Sequence, residues 1–281
     1  MKYFRVLAVT GFLAVCLLGL FAGSLKADQL AYLLGGQGGS TQAFGTVDLN
    51  TGAFTSLGTI SPAVGVTGLG VAGGTLYTDN NGAGTLDSIN TSNGALTVIG
   101  SSGGVPMSNF GATTTGLYFI DAFTQDLYSI NPLRAAPTLI GSTGLTISGP
   151  GTALSTNSGT LYFDWFGSLY TVNTTTGLAT LVGPNVLSSS VYALLFEGGT
   201  LYGGVDACGT GGICFDTVNT GTGALTLGPT PAALMQGILG LAPDPLTTGT
   251  VGTPEPATWS LLAFALVALL FGRRRLASAL R

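Results

Sequence analysis

The sequence predicts an all-β fold assembled from similar units of about 41 residues, and three observations carry that expectation. Glycine supplies 46 of the 281 residues while only 7% are charged, a composition of short strands and tight turns rather than of long helices. Segments that run into Asn and a turn recur as "TVDLNTGAFTSLG", "LDSINTSNGALTVIG", "LYSINPLRAAPTLIG", "LYTVNTTTGLATLVG" and "DTVNTGTGALTLG". Their asparagines Asn50, Asn90, Asn131, Asn173 and Asn219 lie 40, 41, 42 and 46 residues apart. Between them "GTLYTD", "TGLYFID", "GTLYFD" and "GTLYGGVD" place Leu-Tyr at 76/77, 117/118, 161/162 and 201/202.

That period, with only short strand signals, fits one four-stranded blade of a β-propeller per unit. Strand A is apolar ("TGLGVA", "GTALS", "YALLFE"), B carries Leu-Tyr, C runs into the Asn, and D follows the turn ("ALTVIG"). The Asn side chain can accept from the backbone two residues on and the later Gly supplies a positive φ, so "INTSNGAL" reads as the C-to-D hairpin turn. In the third unit "NPLRAAP" has prolines and no Gly, and a different turn is expected there. "QLAYLLGG" near the start reads as a strand B without an A, and "ILGLAPDP" (238–245) as a strand A with no blade after it. Joined, they complete a five-bladed propeller closed by strands from both ends of the chain. Closure hides sheet edges. The rival, a β-helix or open solenoid, usually repeats at shorter periods. The expected organisation is a segment over 1–27, a propeller over 28–246, a Gly/Thr-rich linker over 247–253, and a distinct segment over 254–281.

Charge is distributed unevenly. Lys2, Arg5, Lys26, Arg273, Arg274, Arg275 and Arg281 are terminal, whereas between Asp28 and Thr253 the one base, Arg134, stands against eleven acids, a net −10. Such a body repels phosphate backbones and anionic lipid headgroups, and nucleic-acid binding is set aside. With 46% apolar residues it has enough hydrophobicity to pack a core.

The two ends are addresses. "MKYFRVLAVTGFLAVCLLGLFAGSLKA" has two cations, an apolar run and then small residues, the layout of a secretory signal peptide cleaved after Ser24 or Ala27. At the other end an apolar stretch of 16 residues, about 257–272, covers roughly 24 Å as a helix, slightly short of the ~30 Å hydrocarbon core. Arg273, Arg274 and Arg275 follow and would stay on the cytoplasmic side. Pro254 and Pro256 flank Glu255 and make an extended, donor-poor strip ahead of the helix. This order of Pro-Glu-Pro, one hydrophobic helix and an Arg cluster resembles the PEP-CTERM sorting signal of Gram-negative bacteria over about 28 residues. The resemblance implies that, after the secretion machinery and signal peptidase, a membrane-embedded exosortase recognises the segment and cuts near the triplet. It also implies a transient inner-membrane anchor, a final place at the cell surface or outside, and an association with exopolysaccharide. An ordinary C-terminal anchor is the plainer alternative.

Histidine is absent, which removes the usual general base, most catalytic triads and most transition-metal sites. Cys208 and Cys214 in "CGTGGIC" are expected to pair as a disulfide across the B-to-C hairpin of the last blade. Zinc is not expected there, because two thiolates half fill its tetrahedron. Asp79, Asp121, Asp164 and Asp206 recur two to four residues after the repeated Tyr. They either ring one face, where a carboxylate pair or Ca²⁺ ligation would arise, or simply end strand B and shape the next turn, which their uneven offset favours. Tyr77, Tyr118, Tyr162 and Tyr202 read as core packing, and Trp165 with Phe166 as the best exposed aromatic contact. The expectation is an exported, non-enzymatic, structural or adhesive protein with no cofactor and no metal. The alternatives are a carboxylate-based glycan-cleaving enzyme and a propeller that binds a small ligand or partner.

Overall fold

Each Leu-Tyr segment forms the second strand of a four-stranded antiparallel sheet, because its alternating residues face two neighbouring sheets at once. The structure, a computed structural model, describes residues 29–36, 41–61, 65–112, 116–121, 123–146, 153–157, 159–183, 191–208, 212–230 and 237–244. The export segment, linker and C-terminal segment expected from the sequence lie outside the described residues.

Blade 1 contains β1 (Leu30–Gly36), β2 (Gln42–Asp48) and β3 (Phe54–Ile60). Blade 2 is β4 (Val66–Ala72), β5 (Thr75–Asn80), β6 (Thr85–Ile89) and β7 (Leu96–Ser101). Blade 3 is β8 (Met107–Ala112), β9 (Leu117–Asp121), β10 (Asp126–Asn131) and β11 (Ala136–Ser142). Blade 4 is β12 (Ala153–Asn157), β13 (Thr160–Trp165), β14 (Ser168–Val172) and β15 (Ala179–Gly183). Blade 5 is β16 (Val191–Glu197), β17 (Thr200–Cys208), β18 (Gly212–Val218) and β19 (Leu225–Thr226). The last strand, β20 (Ile238–Pro243), pairs antiparallel with β1, Tyr32 opposite Ala242, and supplies the missing strand A of blade 1. The protein is thus an all-β, five-bladed propeller with four-stranded blades.

The five A strands touch in a closed cycle, β20 to β4 to β8 to β12 to β16 and back to β20. Side-chain bonds tie neighbouring blades near this ring: the Phe196 amide donates to Ser155 Oγ at 2.8 Å, and Gln42 Nε2 donates to the Val66 carbonyl at 2.8 Å. The core is divided among the seams rather than gathered in one place. Leu33 of blade 1 packs with Phe215 of blade 5, and Leu34 of blade 1 with Leu76 of blade 2. Leu86 of blade 2 packs with Phe119 of blade 3, Leu127 of blade 3 with Phe163 of blade 4, and Leu169 of blade 4 with Leu201 of blade 5. Every seam carries its own apolar cluster, so the ring is held by burial all the way round.

The C-to-D turns share one geometry. Asn90 Oδ1 accepts from Ser92 N at 2.9 Å, Asn131 from Leu133 N at 2.9 Å, Asn173 from Thr175 N at 2.8 Å and Asn219 from Gly221 N at 2.9 Å. The residue four positions after each takes a positive φ: Gly94, Ala135, Gly177 and Gly223. Two expectations are corrected here. In blade 1 the side chain that organises the turn is Asp48, not Asn50: Asp48 Oδ1 accepts from Asn50 N at 2.8 Å, and Gly52 is the positive-φ residue four positions on. In blade 3 the turn of "NPLRAAP" does not differ, because Ala135 adopts φ 54° where the others use Gly. The buried Ala135 side chain, packed in the seam between blades 2 and 3, holds it there.

The glycine that closes each repeat ("SLG", "VIG", "LIG", "LVG") has a cause that lies outside its own blade. A Cβ on Gly58 or Gly141 would overlap the carbonyl oxygen of Asn93 or Thr176, in the C-to-D turn of the following blade. At Gly100 it would stand 3.1 Å from the Arg134 carbonyl. The outer strands of blades 1, 2 and 3 thus receive the next blade's turn against bare backbone, whereas a Cβ on Gly228, which closes the fifth repeat, would overlap the Phe215 carbonyl of its own blade.

Candidate functional site

The four repeated aspartates all lie at the B-to-C end of their blades, but each does something different there. Asp121 Oδ1 accepts from Phe123 N at 2.7 Å and Thr124 N at 3.1 Å, shaping the turn between β9 and β10. Asp206 Oδ1 accepts from Ile238 N at 3.1 Å and so fastens the first residue of β20 to blade 5. Burial raises its pKa, and that bond lowers it in part. Asp164 is wholly buried opposite Ala153. Asp79, also wholly buried, accepts from Thr67 Oγ1 at 2.7 Å on Oδ2, while Oδ1 has no hydrogen-bond partner. Desolvation holds the Asp79 carboxyl well above the ordinary range, the Thr67 hydroxyl opposing it. Asp121 thus ends β9 and shapes the turn after it, whereas Asp206 lies within β17 and holds β20 instead of shaping the next turn. Among the described residues no three His, Cys, Asp or Glu side chains gather as a metal site.

Leu69, Phe110, Leu154, Leu194 and Leu241 of the five A strands line two small spaces, one of them also lined by Ser155 and Thr156, with cavity volumes of about 10 Å³ and about 40 Å³. One is about the size of a single water and the other of a few. An organic ligand of ordinary size needs several hundred Å³.

Tyr77 and Tyr202 are buried and Tyr118 and Tyr162 half-buried, the last stacked on Phe196 with centroids 6.3 Å apart, so these residues pack seams. Trp165 and Phe166 divide the role expected of them. Trp165 is buried in the seam between blades 3 and 4, tilted on Phe163 at 5.7 Å. Its Nε1 is buried without a partner. Phe166 is 58% exposed, stands edge-on to Trp165 at 5.0 Å, and has φ 46° in the two-residue turn between β13 and β14. That backbone costs a bulky L-residue about 1–2 kcal/mol. Sequence reasoning missed Phe123, 73% exposed at the matching turn of blade 3. Its signal was its place between Asp121 and the next strand.

Cys214 is buried and disulfide-bonded. Its expected partner Cys208 ends β17, paired in register with Gly212, and the Cys208 side chain lies outside the described residues. Pro254, Glu255, Pro256, Arg273, Arg274 and Arg275 also lie outside them.

The fold and its sites define a class, the five-bladed β-propellers, and comparison with known proteins supports the fold alone. No protein-family description matches the sequence, and no curated protein matches it. Among solved structures, a chain of the nidogen/laminin complex matches with TM-score 0.50 and 10% identity, covering 77% of this chain and 98% of that one. A protein of unknown function from Bacteroides thetaiotaomicron matches with TM-score 0.53 and 14% identity, over 79% of this chain and 66% of that one. Virginiamycin B lyase from Staphylococcus aureus matches with TM-score 0.44 and 14% identity, over 74% and 72%. At 10–14% identity these likenesses concern the fold alone.

Proposed function

We propose that the chain is exported, sorted by an exosortase-like membrane peptidase through Pro254-Glu255-Pro256 and the Arg cluster, and works as a non-enzymatic surface or matrix protein associated with exopolysaccharide. The observation that carries this reading is the segregation of charge: seven of the eight bases sit in two terminal segments with the layout of export signals, and the body between them carries a net −10. An acidic, ring-closed body suits a protein that must stay soluble outside and bind neither nucleic acid nor anionic lipid. The bonding of the repeated carboxylates supports a structural role over catalysis. Asp121 and Asp206 are engaged by backbone amides, and Asp79, whose raised pKa would suit a general acid, is wholly buried away from any polymer.

The test is the mass and location of the chain in its producing cell. The expected species lacks both terminal segments and is recovered from the surface or medium, and replacing Pro254-Glu255-Pro256 by Ala holds the precursor in the membrane. A full-length chain retained in the membrane of unaltered cells would refute the sorting. Shortening of the cell's polysaccharide by purified protein would favour a glycan-cleaving enzyme.

A further inference from the structure

Blade 2 carries an Asn-Gly pair in each of two turns, and the fold treats them oppositely. Asn93-Gly94 belongs to the C-to-D turn, and Asn81-Gly82 to the B-to-C turn between β5 and β6. Asn93 is locked. Its Oδ1 accepts from Ala95 N at 2.9 Å, the buried Gly94 donates its N–H to the Asn90 carbonyl at 2.8 Å, and the Asn93 carbonyl lies against the bare Cα of Gly58 in blade 1. Asn81 and Gly82 are both exposed. Their turn is held by other atoms: Asn81 N donates to the Gly65 carbonyl at 2.8 Å, Ala83 N to Asn80 Oδ1 at 3.1 Å, and Gly84 N to the Asn80 carbonyl at 2.7 Å. No hydrogen bond among the described residues uses the Asn81 side-chain amide or the Gly82 N–H.

We infer that Asn81 is a site of spontaneous deamidation, through which the folded protein gains negative charge as it ages. The Gly82 amide nitrogen gives up its proton and attacks the carbonyl carbon of the Asn81 side chain. A C–N bond forms, the bond to the side-chain NH2 breaks, and ammonia leaves with the proton. Water then opens the resulting succinimide at either carbonyl, leaving an aspartate or an isoaspartate at position 81. Water is the one co-reactant. Glycine favours the attack because it has no Cβ to crowd its own nitrogen and leaves the backbone free to turn towards the side chain. Both reacting groups must also be released from other bonds, a condition that Asn81-Gly82 meets as folded and Asn93-Gly94 does not. Each event takes the body from a net −10 to −11. The isoaspartate product also adds a backbone atom to a turn whose bonds to Gly65 and Asn80 fix its span. The inference concerns blade 2 alone and is independent of the export reading.

The experiment incubates the full chain in mildly alkaline buffer, folded and in guanidinium, and follows both sites by peptide mass spectrometry and the charge by anion exchange. Unfolding makes the two Asn-Gly pairs equivalent, so the denatured chain supplies the reference rate for each. In the folded chain Asn81 is expected to react within about threefold of its denatured rate, whereas Asn93, which must first give up two hydrogen bonds, is expected to be slowed roughly tenfold to a hundredfold. Asn81→Gln and Gly82→Ala should each remove most of the acidic species that the folded chain forms. The comparison of two sites within the unaltered chain decides the matter even where a variant folds poorly. The inference is overturned if the fold slows Asn81 as much as Asn93, if Asn93 reacts in the folded chain as fast as Asn81, or if the acidic species forms undiminished in both variants. Each of these leaves the export reading standing, since that is decided by where the chain is found and by which segments it has lost.

Discussion

The docking of the blade 4 C-to-D turn onto the outer strand of blade 3 predicts a specific intolerance at Gly141. Its φ is not in the left-handed region, so Ala would be acceptable to the local backbone. What forbids a methyl is the Thr176 carbonyl: a Cβ on Gly141 would overlap its oxygen and lie 3.1 Å from its carbon, with Gly177 N at 3.8 Å. Those atoms belong to a turn already fixed by Asn173 and cannot swing aside as a flexible side chain could. Overpacking of this kind costs about 1–3 kcal/mol. Taking about 2 kcal/mol, and roughly 2–4 °C per kcal/mol for a body of this size, Gly141→Ala should lower Tm by roughly 4–8 °C. Gly116→Ala is the control, since a Cβ there meets nothing within 4 Å. That change should be neutral or slightly stabilising through the unfolded chain. Thermal melts of the two variants side by side are sufficient. Equal Tm values would refute the claim that repeat-closing glycines exist to seat the next blade.

Three further outcomes follow from individual side chains. Ala135→Val should cost about 2 kcal/mol or more, because a β-branched residue is forced into the left-handed region in a packed seam, whereas Ala135→Gly should stay within about 1 kcal/mol as relief of backbone strain offsets the lost methyl; denaturant midpoints decide. Because burial raises Asp79, its folded form binds a proton more tightly than its unfolded form. The stability it contributes is therefore complete below about pH 3.9 and falls as pH rises towards the folded-state pKa. Asp79→Asn should flatten that part of the Tm–pH profile and raise Tm at neutral pH, the remaining slope coming from Asp206, Asp216 and Glu197, which burial also raises. Asp206→Ala leaves Ile238 N unpaired at a cost of about 1–3 kcal/mol, read as earlier proteolysis at the start of β20 while blade 3 stays resistant.

Much of the architecture could be read because it repeats. Leu76, Leu117, Leu161 and Leu201 are buried at equivalent places in strand B, and the same seam contact had to be solved in each blade. The closing strand was legible because "ILGLAPDP" had no blade of its own and "QLAYLLGG" lacked a partner. β8 was not, since "MSNFGA" has neither the alternation nor the Leu-Tyr mark, and its place is set by β4 and β12 on either side. The turn in blade 1 was misaligned because Asp48 and Asn50 are both suitable acceptors, and only backbone register distinguishes them. Ala135 defied the glycine rule through burial, which local sequence does not display. At the candidate site Phe166 was legible beside Trp165 and Phe123 was not, for its exposure depends on the turn that Asp121 shapes.

The pairing of β20 with β1 fixes an order of events. The partners lie about 200 residues apart in the chain, so blade 1, begun first, is completed last. Until Ile238–Pro243 emerges, the growing protein is an arc with two raw flanks, one of them the exposed backbone of β1. A cut placed after Asp244 would spare the finished circle, and one placed a few residues earlier would leave it permanently ajar.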